Sequence, residues 1–593
     1  MEAGVRARPL LLILGLVLLL RLPFLNYAVQ GDDPVYLAEA THALIEPLHP
    51  DHTPYVFHGR EFDLRGLTHP PLDGWILAGL LAVFGSVKEV PFHAAYVGFS
   101  LLAAAAMWSL ARRFCAQPVW ATLLFLAVPV FVVNGNSFET DVPFAAFWMS
   151  AIALFCAGRL APAALAMVAA SLLGFQALFL TPILAVHVWL FHRRDRARWF
   201  TILVPGLVFV AWQMFERLST GAMPAGVLGG YLTIYQTGRI KLVNTLALAV
   251  HSWFLVCPIL VPGAFLLAWR RRSEPGTRFL LAWIGIFFAC ALVVFFAGSA
   301  RYLLPMAAPV AILAAGLRPR WLALGFGLQM ALSLGLAVIN YQHWDAYRAY
   351  AASLGPVIEN HRVWVDDEWG LRHYMQDRGA LPLQKTTRLR AGDIIVSSQL
   401  SHAVEVSARL APAAPTLEIR PAIPLRIIGL ESHSGFSSAA LDRLWPFGFS
   451  SGVIDRVRAD RVVERHPTLC YFAMNAAEAA DHIVSGIYDL ENNNFRWMSG
   501  SAVVTLKSPS TAARLQVEFR IPEHSPARRV TLLLDGRLVA SQAYTGPGAY
   551  TLASAPVLPA GAEAMVQIEV DKTFSAPPDV RELGIVVLGV GFR

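Results

Sequence analysis

Charge is scarce in this chain. Only 15% of its 593 residues are Asp, Glu, Lys or Arg, and 56% are hydrophobic. A soluble domain carries roughly a quarter charged residues. That shortage, with a mean hydropathy of +0.50, excludes an ordinary water-soluble protein and points to an integral membrane one. Cysteine is scarcer still: Cys115, Cys156, Cys257, Cys290 and Cys470 are the whole set. Only Cys470 lies beyond residue 341, so an internal disulfide in that half is excluded. Neither a CxxC pair nor a Cys/His metal spacing is read along the chain. The net charge of +7 does not indicate nucleic-acid binding, because the basic residues sit in short clusters between apolar runs. Arg112-Arg113, Arg193-Arg194 with Arg196 and Arg198, Arg270 to Arg272, and Arg318 with Arg320 form the pattern of cytoplasmic loops.

Apolar runs dominate to about residue 340, and the composition beyond is that of a globular protein. A spanning helix takes about 20 apolar residues, fewer within a bundle. Candidate spans are 9–29, 91–111, 117–133, 143–158, 160–173, 178–191, 200–218, 245–268, 279–298, 302–317 and 320–340. The first follows Arg6 and Arg8, has no small-residue cleavage site, and reads as a retained anchor with its amino end in the cytoplasm. Gly174 and Gln176 keep 160–173 and 178–191 separate. Eleven spans place the arginine clusters inside and the carboxyl-terminal region outside. Run 72–86 is too short to span and carries Asp73 and Trp75, so it reads as an interfacial helix on the outer leaflet. The expected organisation is a transmembrane domain over 1–340, a small extracytoplasmic α/β domain over 341–484, and a β-sandwich over 485–593.

With this topology one face collects the unusual polar residues. The loop 30–71 holds Asp32, Asp33, Tyr36, Glu39, His42, His58, Arg60, Glu61, Asp63, Arg65 and His69. Asn134, Asn136, Glu139 and Asp141 form a second outer group; Tyr231, Tyr235, Arg239 and Lys241 a third. Arg301-Tyr302 caps a ninth span. Carboxylates facing cations at a membrane surface describe a site that deprotonates a nucleophile and holds an anion, and a lipid phosphate is the anion at hand. Simpler readings stand beside this one. Asp33-Pro34 has the form of an N-cap with Pro at the first helical position. Glu139 to Asp141 has the form of a cap for the span opened by Val142-Pro143. Arg301 has the position of a residue snorkelling to headgroups.

Several motifs carry a resemblance. Asp32-Asp33 with Tyr36 follows the first span, and His69-Pro70-Pro71-Leu72 precedes Trp75. Asp141-Val142-Pro143 opens a later span, and Arg301-Tyr302 is followed by Pro305. In order, spacing and shared side, these resemble the GT-C superfamily of polyprenyl-phosphate-dependent glycosyltransferases. The likeness is to the branch of protein O-mannosyltransferases and the lipid A aminoarabinose transferase, and it covers about 9–340. The second acid departs from the family pair, which is most often Asp-Glu.

The resemblance implies direct displacement at an anomeric carbon, with inversion. Asp32 would be the general base, aided by Asp33 and Asp141. Arg301, His69 and Tyr302 would bind the donor phosphate, and Tyr36 and Glu139 the substrate. Asp32, Asp33, Glu139 and Asp141 offer oxygen ligands to a divalent cation, but the branch it resembles does not require one, and no metal or other cofactor is expected. The implied partners are a polyprenyl-phosphate sugar, an acceptor glycan, lipid or protein, and the bilayer of a plasma or inner membrane. The alternatives are a flippase for lipid-linked sugars, which would show repeats and mid-membrane charges, and a non-catalytic glycan-binding scaffold of the envelope.

In the carboxyl-terminal half, Val363–Val365 and Ile394–Val396 read as strands flanking a helix over Trp369 to Arg378 that Gly379 ends. Asp366-Asp367-Glu368 reads as a helix-start cap rather than a catalytic cluster. Ala502–Leu506, Leu515–Phe519, Val530–Leu534, Met565–Val570 and Ile585–Val590 alternate and are bounded by turn residues, as in an antiparallel sandwich. The stretches around Trp497 and Arg581 resemble jelly-roll domains appended to envelope glycosyltransferases, and Tyr488 and Trp497 are candidate sugar-stacking or core residues.

Overall fold

Among the described residues of the computed structural model, four helices are long and apolar enough to cross a membrane: Glu89–Phe114, Arg196–Thr220, Pro275–Val294 and Pro319–Ser353. Residues 1, 67–68, 227–237, 296–297, 388, 402–403, 405, 407–408, 437–443, 464–466, 524 and 576–580 lie outside the description. Leu12, Leu19, Phe200, Leu207, Trp269, Val293 and Trp321 stand exposed on the helices. Such an apolar outer surface is stable against lipid, not against water.

Proline accounts for most differences from the eleven-span reading. The run 117–133 is two helices, Pro118–Leu126 and Pro129–Asn134. Val128 between them is extended because the ring of Pro129 disfavours the helical region for its predecessor. Likewise 245–268 divides into Gly238–Ser252 and Val261–Arg270, with Cys257 extended before Pro258. The first helix, Glu2–Arg21, ends before Pro23 rather than near Val29. Leu160–Ser171 and Leu180–Phe191 are separate, joined through an extended Gly174. The interfacial run forms the helix Leu72–Phe84.

At the end of the first helix the fully buried Arg21 stitches the bundle together. It donates to the carbonyls of Phe131 and Val132 and to Ser100 Oγ, satisfying acceptors that a short, proline-broken helix leaves open. Gly135 makes room for it, since a Cβ there would lie 1.9 Å from the guanidinium carbon. Gly135→Ala is therefore expected to cost about 1–3 kcal/mol by overpacking, measured as a lowered Tm in detergent.

The helix Pro319–Ser353 passes position 340 without a break and carries the chain into its β-rich half. There a six-stranded sheet has Val363–Asp366 between parallel neighbours Leu381–Pro382 and Ile394–Ser398. The expected helix is Gly370–Gln376. Asp367 Oδ2 accepts the N–H groups of Trp369 and Arg372, which is the capping role read from sequence. This region sits on the hairpin Pro54–Phe57/Arg60–Asp63 of the first loop: Lys385 N–H donates to Gly59 O at 2.8 Å, and Arg372 donates to Val56 O.

The last region is one antiparallel nine-stranded sheet folded over its own core of Met498, Val504, Leu515, Phe519, Leu532 and Val566. All five expected strands are present, four of them within Phe495–Lys507, Ala513–Ile521, Arg528–Leu534 and Glu563–Val570, and the fifth as Val586–Phe592, which leaves out Ile585 and runs two residues further. A short strand, Tyr471–Ala473, pairs with the last of them from upstream of residue 485. Arg581 lies over the Tyr488 ring at 5.2 Å, and Trp497 meets Phe574 edge-on. Asp579 and Val580 lie outside the described residues.

Candidate active site

The helix Asp33–Ala43 begins one residue earlier than an Asp33 cap requires. Asp32 occupies the N-cap position, Asp33 the first turn, and the Asp32 side chain makes no capping bond. That frees the Asp32 carboxylate, which is 42% exposed and lies with Oδ2 3.3 Å from Arg301 Nη2. Gly31 before it has φ +43°, and a Cβ there would come within 2.8 Å of Glu139 Oε1. The backbone turn and the glutamate thus occupy space that only glycine leaves.

Arg301 is the hub. Its side chain, 15% exposed, pairs with Asp32, with Glu139 through Nη1, and with Asp141 at 3.7 Å. Three carboxylates from two segments converge on one guanidinium, which rules out a headgroup-snorkelling arginine. Asn134 Nδ2 bridges Glu139 Oε2 at 2.7 Å and Asp141 Oδ2 at 3.1 Å, and Asp32 N–H points to Glu139 Oε1 at 3.4 Å. Arg301 Nε is buried and faces Asp141 Oδ2 at 3.7 Å, an ion pair too long for a hydrogen bond.

Burial pushes the Glu139 carboxyl well above its ordinary range although Arg301 opposes the shift, and Asp141 and Asp32 push the same way. The three carboxylates hold the Arg301 guanidinium charged against its own burial. Tyr36 is buried beside the cluster and packs edge-on against His69 at 5.4 Å. Burial, then the Arg301 charge, lowers His69 to about 4. The Tyr302 ring meets Phe295 edge-on at 5.1 Å.

Asp33 behaves unlike Asp32. It is 0% exposed, and its Oδ2 accepts Gln30 N–H while Oδ1 accepts Ser137 Oγ and Phe138 N–H at 2.8 Å. It pins the loop that carries Glu139 to the turn that carries Asp32. Behind it Glu39 and Asp73 are buried as well, with Tyr96 donating to Asp73 Oδ1 at 2.7 Å. Burial raises Asp73 to about 8.

The structure therefore brings Asp32, Glu139, Asp141 and Arg301 together, sets Tyr36 and His69 beside them, and withdraws Asp33 into a supporting position. Tyr231 and Tyr235 lie outside the described residues, and Lys241 Nζ is bonded to the Leu292 carbonyl. Two groups escaped the sequence reading. Arg21 sat unnoticed inside an apolar run. His49 and His52 meet Glu216 at 3.3 and 3.1 Å, which corrects the reading that the chain has no metal-type spacing. The signal was His49-Pro50-Asp51-His52, an HxxH element whose partner lies 164 residues away.

Residues 68–159 match the family described as Dolichyl-phosphate-mannose-protein mannosyltransferase. That segment holds His69, Glu139 and Asp141; Asp32 and Arg301 lie outside it. No curated protein sequence matches the chain. Among solved structures the chain is similar to ArnT from Cupriavidus metallidurans bound to undecaprenyl phosphate, at 15% identity and a TM-score of 0.46, over 69% of this chain and 96% of that one. It is also similar to the arabinofuranosyltransferase AftD from Mycobacteria, at 12% identity and a TM-score of 0.42, over 99% of this chain and 58% of that one. The arabinosyltransferase EmbB from Mycobacterium smegmatis gives 13% identity and a TM-score of 0.28, over 98% and 64%.

Proposed function

We propose that the chain is a GT-C-type membrane glycosyltransferase. It moves a sugar from a polyprenyl-phosphate donor to an acceptor hydroxyl or amine at the outer face, with inversion. The observation that carries this reading is the Asp32–Arg301 pair: an accessible carboxylate held against a guanidinium that two buried acids fix in place. The match over 68–159 to a family named for a polyprenyl-phosphate mannose donor agrees with the choice of donor.

In this reading Asp32 takes the acceptor proton as the acceptor atom attacks the anomeric carbon, and the bond from that carbon to the phosphate oxygen breaks. The phosphate leaves with the bonding pair. Arg301, held against the accessible Asp32 through Nη2, lies where that charge develops, and a guanidinium is suited to hold phosphate oxygens. Glu139 and Asp141 orient Arg301, and His69 and Tyr36 line the approach. The guanidinium occupies the centre of the carboxylates, so the reaction is assigned no divalent cation there. The amino terminus is placed in the cytoplasm and the regions 341–484 and 485–593 outside it, the sandwich being available to glycan.

The test is the protein in lipid vesicles with a radiolabelled polyprenyl-phosphate sugar and a panel of hydroxyl and amine acceptors. Label in the acceptor together with free polyprenyl phosphate is expected. Translocation of intact donor without cleavage would overturn the reading in favour of a flippase. Mass spectrometry of envelope glycans and lipids with and without the protein identifies the sugar and the acceptor.

A further inference from the structure

Within the first loop, His49 and His52 converge on Glu216. The segment His49-Pro50-Asp51-His52 turns back on itself, with His52 N–H donating to His49 O at 3.2 Å, so that both imidazoles face one side. Their rings stack with centroids 4.4 Å apart, and Phe215 covers the other face of His49 at 5.2 Å. Glu216, from the end of the helix Val204–Thr220, is 0% exposed and aims one oxygen at each ring: Oε1 lies 3.3 Å from His49 Nδ1 and Oε2 3.1 Å from His52 Nε2. All three ligand atoms lie within 4.8 Å of one another. Asp51 is 6% exposed, its Oδ1 is buried without a hydrogen-bond partner, and that oxygen stands 4.0 Å from His52 Nε2.

We propose that His49 Nδ1, His52 Nε2 and Glu216, with Asp51 as a fourth ligand, bind one zinc ion that staples the first outer loop to the helix Val204–Thr220. Zinc–nitrogen and zinc–oxygen bonds of about 2.0–2.2 Å give tetrahedral ligand-to-ligand edges of about 3.3 Å; the two Glu216–imidazole separations of 3.3 and 3.1 Å match this, and Asp51 Oδ1, 4.0 Å from His52 Nε2, would close in on the ion. Imidazole nitrogens select a transition metal over magnesium or calcium. Asp51 and Glu216 bring two carboxyl groups, both withdrawn from water, to the same pair of imidazoles, and polar groups so buried cost free energy unless partnered. One divalent cation partners all four side chains and takes up the orphaned Asp51 oxygen. Four protein ligands close the shell, as in structural rather than catalytic zinc sites. The staple has a mechanical reach, because the same loop continues into the hairpin on which the β-rich half rests.

Metal analysis of the purified full-length protein tests this without an assay of transfer. The wild type is expected to carry about one zinc per chain, with a nitrogen/oxygen-only first shell by X-ray absorption. His49→Ala and His52→Gln should each bring zinc below about a tenth of that, since losing even a supporting group costs 10–100-fold in affinity. Chelation should lower the wild-type Tm and added zinc restore it, with neither affecting a folded His52→Gln protein. If a single variant fails to fold, cobalt titration of the chelated wild type remains decisive, because a tetrahedral site gives intense visible absorption. Zinc stoichiometry unchanged in both variants, or no cobalt or zinc uptake by the chelated wild type, would overturn the proposal. A hydrogen-bonded His–Glu–His group would then be the correct description.

Discussion

Asp32→Asn is expected to reduce sugar transfer by about 10²–10⁴-fold, the usual contribution of a positioned general base, while leaving stability within about 0.5 kcal/mol of the wild type. The asymmetry follows from where the carboxylate sits. Asp32 is 42% exposed, makes no cap bond and holds no backbone group in place. An amide keeps its shape and its oxygen can still face Arg301, but it cannot accept the acceptor proton. Its neighbour gives the reverse pattern. Asp33→Ala strips the partners from Gln30 N–H, Phe138 N–H and Ser137 Oγ, and each buried group so stranded costs about 1–3 kcal/mol. The measurements are rates in vesicles with labelled donor and melting curves in detergent. An active Asp32→Asn protein, or an Asp33→Asn protein that melts normally yet transfers nothing, would move the base to Asp33.

That the two adjacent acids differ so sharply was not legible in the sequence. Both follow an apolar run, and the one-residue phase of the next helix decides which faces Arg301. Asp32 at the N-cap points toward Arg301; Asp33, one step on, points into the loop behind. The gathering of Asp32, Glu139, Asp141 and Arg301 was more legible, because their positions relative to the arginine clusters place them on one side. The strands of the last region were legible because their alternation is a period-two signal, and each expected strand lies within an observed one except for Ile585 at the start of the last. Helix ends were less so. Hydropathy continues across Val128 and Cys257, but a proline one residue later forces each into an extended conformation. Arg21 and the His49–His52–Glu216 group were hidden because their partners are remote in sequence and only packing unites them.

Removing the guanidinium should have the largest effect on stability. Arg301→Met leaves Glu139 and Asp141, both nearly buried, without a counter-charge, and breaking a buried pair from one side costs about 3–5 kcal/mol. Arg301→Lys should recover only part of this, since a point charge cannot reach three carboxylates that a planar fork spans. The loss has a pH signature with a definite sign. The Glu139 carboxyl already titrates above its ordinary 4.5 in the presence of Arg301, and without it the shift grows. An acid whose folded-state value is raised binds more protons folded than unfolded, so stability falls as pH rises above about 4.5. The Arg301→Met protein should thus melt closest to the wild type near pH 5 and fall away toward pH 8. Adding Glu139→Gln should restore Tm and flatten that slope without restoring transfer, because it removes a stranded charge but supplies no cation to the leaving phosphate. Equal Tm losses at pH 5 and pH 8, or transfer regained in the double variant, would show that Arg301 neither balances Glu139 nor faces the phosphate.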